Sequence, residues 1–184
     1  MPRIDFNQLP DDGRLWIFGS DRPLGRDEAT VLLEEVDRFL DQWKAHGAPL
    51  RSARDWRDDR FLAIGIDPTA EQASGCSIDG LFRELQRLEG SLATTLLAGG
   101  RVFYRDKQGR AHMALRSEIA RLASARVIDE DTRVLDTSLV TVGAFRERFE
   151  RSARDSWVGS LVARAQASQE SSRAATNSSS VRKG

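Results

Sequence analysis

Apolar residues change their spacing several times along this chain, and each change marks an element. Residues 14–20 (RLWIFGS) are a short run of bulky strand formers that stops at the turn residues Asp21-Arg22-Pro23-Leu24-Gly25, which predicts a first strand. Val31, Leu32, Leu33, Val36, Phe39, Leu40 and Trp43 then recur at three- and four-residue intervals with acids between them, the pattern of an amphipathic helix. Gly47 sits where a C′ glycine would end that helix, with His46 in its last turn. From Pro49 the grain shifts: Leu50, Ala53 and Trp56 lead into the charged corner Arg57-Asp58-Asp59-Arg60, and residues 61–66 (FLAIGI) are almost wholly apolar. This predicts a hairpin whose second strand is central. After a loop over residues 69–75, Leu81, Phe82, Leu85, Leu88 and Leu92 mark a second amphipathic helix, with Ser77 as its N-cap and Gly99-Gly100 as its breaker. Residues 101–106 (RVFYRD) read as a further strand, so the order is β-α-β-β-α-β and the expected class is α+β with a ferredoxin-like core.

Beyond residue 106 the elements are shorter. Lys107-Gln108-Gly109-Arg110 reads as a turn, Leu115, Ile119 and Leu122 as a short helix, and residues 133–135 as a strand reached through Asp129-Glu130-Asp131-Thr132. Residues 141–151 predict another helix with Phe145 and Phe149 on one face, and Trp157 is expected to close the core. The Ser-rich end is poor in apolar residues and predicts disorder. The expected organisation is therefore a ferredoxin-like core over 1–106, a small appended β/α extension over 107–160, packed on that core, and a disordered tail over 161–184. Arg51-Ser52-Ala53-Arg54-Asp55 recurs as Arg151-Ser152-Ala153-Arg154-Asp155, but the flanks do not continue the match and no duplicated domain is implied.

Composition narrows the function classes. Lys+Arg and Asp+Glu both number 28, which argues against bulk affinity for nucleic acid. Residues 151–184 hold six bases against two acids, a surplus of four positive charges that leaves the rest of the chain four negative. Such a basic end is expected to be a solvated segment. The single cysteine, Cys76, cannot form an internal disulfide, and the opening MPRIDFNQLPDDGR has neither a basic nor an apolar leader region. No apolar run approaches the roughly 20 residues that span a bilayer. A cytoplasmic protein with no membrane partner is expected.

No P-loop, dinucleotide fingerprint, zincin, nucleophile-elbow or paired C-x-x-C motif is present, and His46 and His112 do not have metal-ligand spacing. No metal and no cofactor are expected. Small polar residues do gather at Ala73-Ser74-Gly75-Cys76-Ser77-Ile78-Asp79-Gly80, between a central strand and a helix. Free N–H groups at a helix start attract anions and favour a thiolate. Three readings follow: an anion cradle built from Ser74, Gly75, Cys76, Ser77 and Asp79, a reactive Cys76, or a tight loop that buries Cys76 as a small residue. Antiparallel pairing of the first and third strands would bring Arg22 near Arg60 and Asp59, as a second anion-binding candidate or as a plain ion-pair rim.

Two resemblances add to this reading. Phe103-Tyr104, Asp106, Gly109, Glu118-Ile119-x-x-Leu122, Ile128 and Asp131-Thr132-x-Val134 are similar to the small bacterial variant of the GYF domain, which implies a peptide-sized module of strands and one helix. That family's aromatic-rich ending is missing here. The segments LWIFGSDRPL (15–24), WKAHG (43–47), RFLAIGID (60–67) and ASGCSID (73–79), with Ser156-Trp157, resemble a family of short uncharacterised bacterial proteins, some labelled "ABC transporter ATPase". Lys44, Lys107 and Lys183 all lack the preceding glycine of a P-loop, so the label carries over no residue. The function expected is that of a bacterial binding or adaptor module for a protein or a small anionic ligand. The alternatives are a thiol- or phosphate-directed enzyme centred on Ser74–Asp79 and a weak RNA binder.

Overall fold

Bulky residues at 14–19 form the strand β1 (Arg14–Gly19), and the helix α1 (Arg26–Gln42) begins where Glu28 folds back to accept the Gly25 N–H at 2.8 Å. Asp27 and Glu28 in its first turn suit the positive end of the helix dipole. Ala29, Leu32, Val36 and Leu40 form the buried stripe. The computed structural model describes residues 3–69 and 73–168 of the chain and divides into two compact units, Met1–Gly99 with Thr137–Phe149, and Gly100–Asp136 with Glu150–Gly184. Its class is α+β, with sheets of three, two and four strands. Among the described residues no helix is long and apolar enough to cross a membrane.

In the first unit the strands β4 (Ser52–Arg57) and β5 (Phe61–Ile66) form the expected hairpin, and β5 is central in the order β1-β5-β4. Pairing runs antiparallel from Gly19↔Phe61 to Arg14↔Ile66 on one side and from Arg57↔Phe61 to Ser52↔Ile66 on the other. Every residue of β5 is buried because both of its faces are covered. Leu62, Ile64 and Ile66 join the core of α1 and the helix α2 (Gly75–Leu92). Phe61 meets Phe149 on the opposite face, and Gly65 lies so near Leu9 that a Cβ there would fall 2.6 Å from its methyl.

Three expectations for this unit need correction. Helix α1 ends at Gln42, not near Gly47, and His46 (φ 50°) and Gly47 (φ 84°) make the two-residue turn of a small hairpin, β2 (Lys44–Ala45) with β3 (Ala48–Pro49). Positive φ at both central residues is the type I′ pattern that matches strand twist. The chain leaves the helix at Trp43, whose buried indole donates to the Ser77 carbonyl at 2.9 Å. Helix α2 starts one turn early, with Ser74 as N-cap, its Oγ accepting from the Ser77 N–H at 3.2 Å.

The third correction is topological. The sheet order β1-β5-β4 matches the first three strands of a ferredoxin-like sheet, but the strand expected to complete it, β6 (Arg101–Arg105), pairs in the second unit. There it forms a hairpin with β7 (Ala111–Leu115), a strand that the turn-then-helix reading missed. Asp106 accepts the N–H groups of Gln108 and Arg110, and Gly109 takes φ 80°, so the turn is closed by its own side chain. A short hairpin loop costs less closure entropy than a return across the sheet. The outer edge of β1 carries one antiparallel bridge instead, Arg14↔Thr141, with Leu15 N–H donating to Val140 O at 2.9 Å.

The second unit has a four-stranded sheet in the order β7-β6-β8-β9, where β8 is Arg133–Leu135 and β9 is Glu150–Ser152. Val102, Tyr104, Ile119, Ile128, Val134 and Val162 share its core, to which the helix α3 (Ile119–Ser124) contributes. Residues 159–168 are helical, with Val162 and Ala165 buried, so the stretch 161–168 is not the disordered start of a tail. Residues 169–184 lie outside the described residues. Trp157 is 38% exposed beneath the Arg116 guanidinium, 5.1 Å from its ring, and does not close the core. The helix α4 (Val142–Arg148), capped by Thr141, belongs with the first unit, so the division falls at residues 99, 136 and 149 and not at 106.

Candidate functional site

The segment Ser74–Asp79 is not a loop but the cap and first turns of α2. Ser74 Oγ is occupied by the Ser77 N–H, and Ser77 Oγ donates to the Ser74 carbonyl at 2.8 Å. The buried small residue is Ser77. Cys76 is exposed, which corrects the reading that packs it inward. Gly75 has open space where a Cβ would stand, and Asp79 is exposed. Among the described residues no group of three His, Cys, Asp or Glu is placed to hold a metal. Iodoacetamide should therefore alkylate Cys76 in the native protein at least as fast as in the urea-unfolded protein, whereas protection in the native state would contradict its exposure.

Arg22 and Arg60 do lie at one end of the sheet, as the antiparallel pairing requires. Ser20 N–H donates to the Arg60 carbonyl at 2.9 Å and Leu24 N–H to that of Asp59 at 2.8 Å. The guanidinium of Arg22, however, grips Glu28 in a two-pronged contact of 2.9 and 2.6 Å and also donates to the Leu92 carbonyl at 2.9 Å. Arg60 is buried, and burial pulls its pKa down against the opposing pull of Asp21 and Asp58. Both arginines are thus engaged with the protein itself.

The Arg22 fork, followed by the Gly25 N–H, holds the Glu28 carboxyl at a pKa of about 2. A carboxyl with a depressed folded-state pKa stabilises the fold above the ordinary glutamate range and loses that effect as pH falls toward its folded value. Glu28→Gln should melt below wild type at neutral pH, and the gap should narrow between the ordinary glutamate range and pH 2. Thermal melts across that window check it, and a constant gap would contradict it.

Sequence reasoning missed a different site. The segment after residue 3 runs beside β4, with Arg3 bridged in parallel to Ser52 and Ile4 N–H donating to the Ser52 carbonyl at 2.9 Å. Asp5 then accepts the Asn7 N–H at 2.7 Å and turns the chain into a 3-10 turn, Phe6–Gln8. Between this segment, β4 and α4 lies a cavity of about 440 Å³, with Arg3, Asp5, Arg54, Asp55, Arg57 and Arg146 among its lining residues.

Three of its arginines are each held by two or more contacts. Arg54 is bound by both oxygens of Asp37 at 2.7 and 2.8 Å, and Arg3 contacts Asp37 at 2.9 Å and Asp41 at 3.1 Å. Arg146 pins the N-terminal segment, donating to the carbonyls of Phe6, Asn7 and Leu9 and to Asp11 at 2.5 Å. Arg57 differs. Its Nε donates to Asp55 at 2.6 Å, its guanidinium lies 4.1 Å above the ring of Phe145, and its terminal nitrogens make no hydrogen bond among the described residues.

A guanidinium fixed at Nε and stacked on an aromatic face has its remaining donors already oriented, in the fork geometry that suits carboxylate or phosphate. Asp55, two residues earlier on the same face of β4, orients the fork without closing it. The arginines at 3, 54, 57 and 146 belong to no motif. The one signal in the sequence was the alternation of charge along Arg54-Asp55-Trp56-Arg57, unusual in a strand that is otherwise half-buried. Compared with known protein families, with curated proteins and with solved structures, the chain matches none.

Proposed function

We propose that this chain is a cytoplasmic binding module, not an enzyme, that captures an oxyanion group in the arginine-lined cleft beside β4. The observation that carries this reading is the half-engaged guanidinium of Arg57, held by Asp55 and stacked on Phe145 within the cavity. The surrounding arginines are held in place by their own aspartates, so among the described residues the donors left for a ligand are the terminal nitrogens of Arg57. The cleft has a cation poised to bind and, among the described residues, no nucleophile and base side by side, which favours binding over turnover. A single, exposed cysteine fits a reducing compartment.

Calorimetric titration with inorganic pyrophosphate tests the proposal. Arg57→Ala should weaken binding about tenfold or more, the worth of a charge-assisted pair, while circular dichroism shows the fold retained. Arg57→Lys should recover only part of the loss, since the ammonium keeps the charge but not the fork. Equal affinity in wild type and Arg57→Ala would overturn the reading, as would no binding by the wild type.

A further inference from the structure

Resting on that reading, we infer that the cleft's ligand is an extended acidic peptide which adds to the open edge of β4. The Arg51 carbonyl accepts from the Asp67 N–H at 2.9 Å, so residues 51, 53, 55 and 57 turn their backbone groups toward β5. Strand alternation then aims those of Ser52, Arg54 and Trp56 outward. Ile4 takes the Ser52 carbonyl, after which the chain swings away into its 3-10 turn. The Trp56 N–H is taken by Asp55 Oδ1 at 3.0 Å. The N–H and C=O of Arg54 are left at the edge, in the wall of the cleft, with no hydrogen-bond partner among the described residues.

A donor and an acceptor side by side distinguish between ligands. A free phosphate could accept from the Arg54 N–H but offers the carbonyl little in return. An extended peptide supplies both groups from one residue, as in strand addition to an exposed sheet edge. Its side chains alternate faces, so an acidic residue can meet Arg57 on the face where Phe145 supports it, and the next residue points away. The expected ligand is therefore a short peptide in which acidic and neutral residues alternate.

The probe is a blocked hexapeptide alternating Glu and Val, with two N-methylated versions, one modified at every Glu nitrogen and the other at every Val nitrogen. Only one of these sets can face the edge. The wild-type protein should bind the parent peptide, lose about tenfold or more for one methylated version and keep the other, and Arg57→Ala should weaken all three. If both methylated peptides bind like the parent while Arg57→Ala still weakens them, or if pyrophosphate binds and the peptide does not, strand addition is refuted and the anion cleft survives. If neither pyrophosphate nor peptide binds, the cleft reading fails as well.

Discussion

Replacing Phe145 by alanine is expected to cost about 3 to 5 kcal/mol of stability, the range for deleting a fully buried aromatic side chain. Phe145 has no exposed surface, and it packs edge-on to Phe6 at 5.7 Å and tilted against Phe149 at 4.8 Å between ring centroids. Phe149 in turn meets Phe61 at 5.3 Å, so the ring of Phe145 belongs to a cluster that covers one face of the central strand. Removing it opens a cavity in a close-packed cluster that can relax only in part. The same change removes the platform beneath Arg57. Urea denaturation measures the loss, and a cost below about 1 kcal/mol would show that this cluster does not hold α4 on the sheet.

Leu85→Ala is the second large effect, expected at about 2 to 5 kcal/mol. Leu85 is fully buried at the centre of the α2 stripe, in the core that joins Leu32, Val36 and Leu40 of α1 to Leu62 and Ile64 of β5. Leu40→Ala, on the facing helix, should fall in the same range. Their effects should not simply add, because neighbours in one core share the cavity that either deletion creates. Denaturation of the two single variants and the double variant checks both points, and a Leu85→Ala cost below about 1 kcal/mol would contradict the packing of α2 on the sheet.

The long elements were readable because their periodicity is unambiguous. The α1 stripe, the α2 stripe and the continuous apolar run of β5 each carry enough residues to separate a period of 3.6 from one of 2. The short ones were not. Residues 111–115 (AHMAL) hold no β-branched residue, and as a five-residue strand they look like the start of the helix that follows. Missing that strand left β6 without its hairpin partner and assigned it to the wrong sheet.

Local sequence also proved a weak guide where tertiary pairing decides. Arg51-Ser52-Ala53-Arg54-Asp55 enters β4, while the identical Arg151-Ser152-Ala153-Arg154-Asp155 ends β9 and turns into a 3-10 helix. Ala53 and Ala153 are buried in both settings, so what recurs is one inward residue rather than an element. The cleft was hidden for a related reason. Its residues come from positions near 3, 55 and 146, which only the folded chain brings together, whereas Ser74–Asp79 stood out because its small polar residues are contiguous.

The most direct test of an anion cleft beside β4 is to follow the Arg57 Nε–Hε resonance and the backbone amides by nuclear magnetic resonance while inorganic pyrophosphate is added. Saturable shifts should centre on Arg57 Nε, the Arg54 amide and the amides of residues 5–7, with those of residues 74–79 unmoved. Shifts concentrated at the start of α2, or spread over the surface without saturation, would contradict the account.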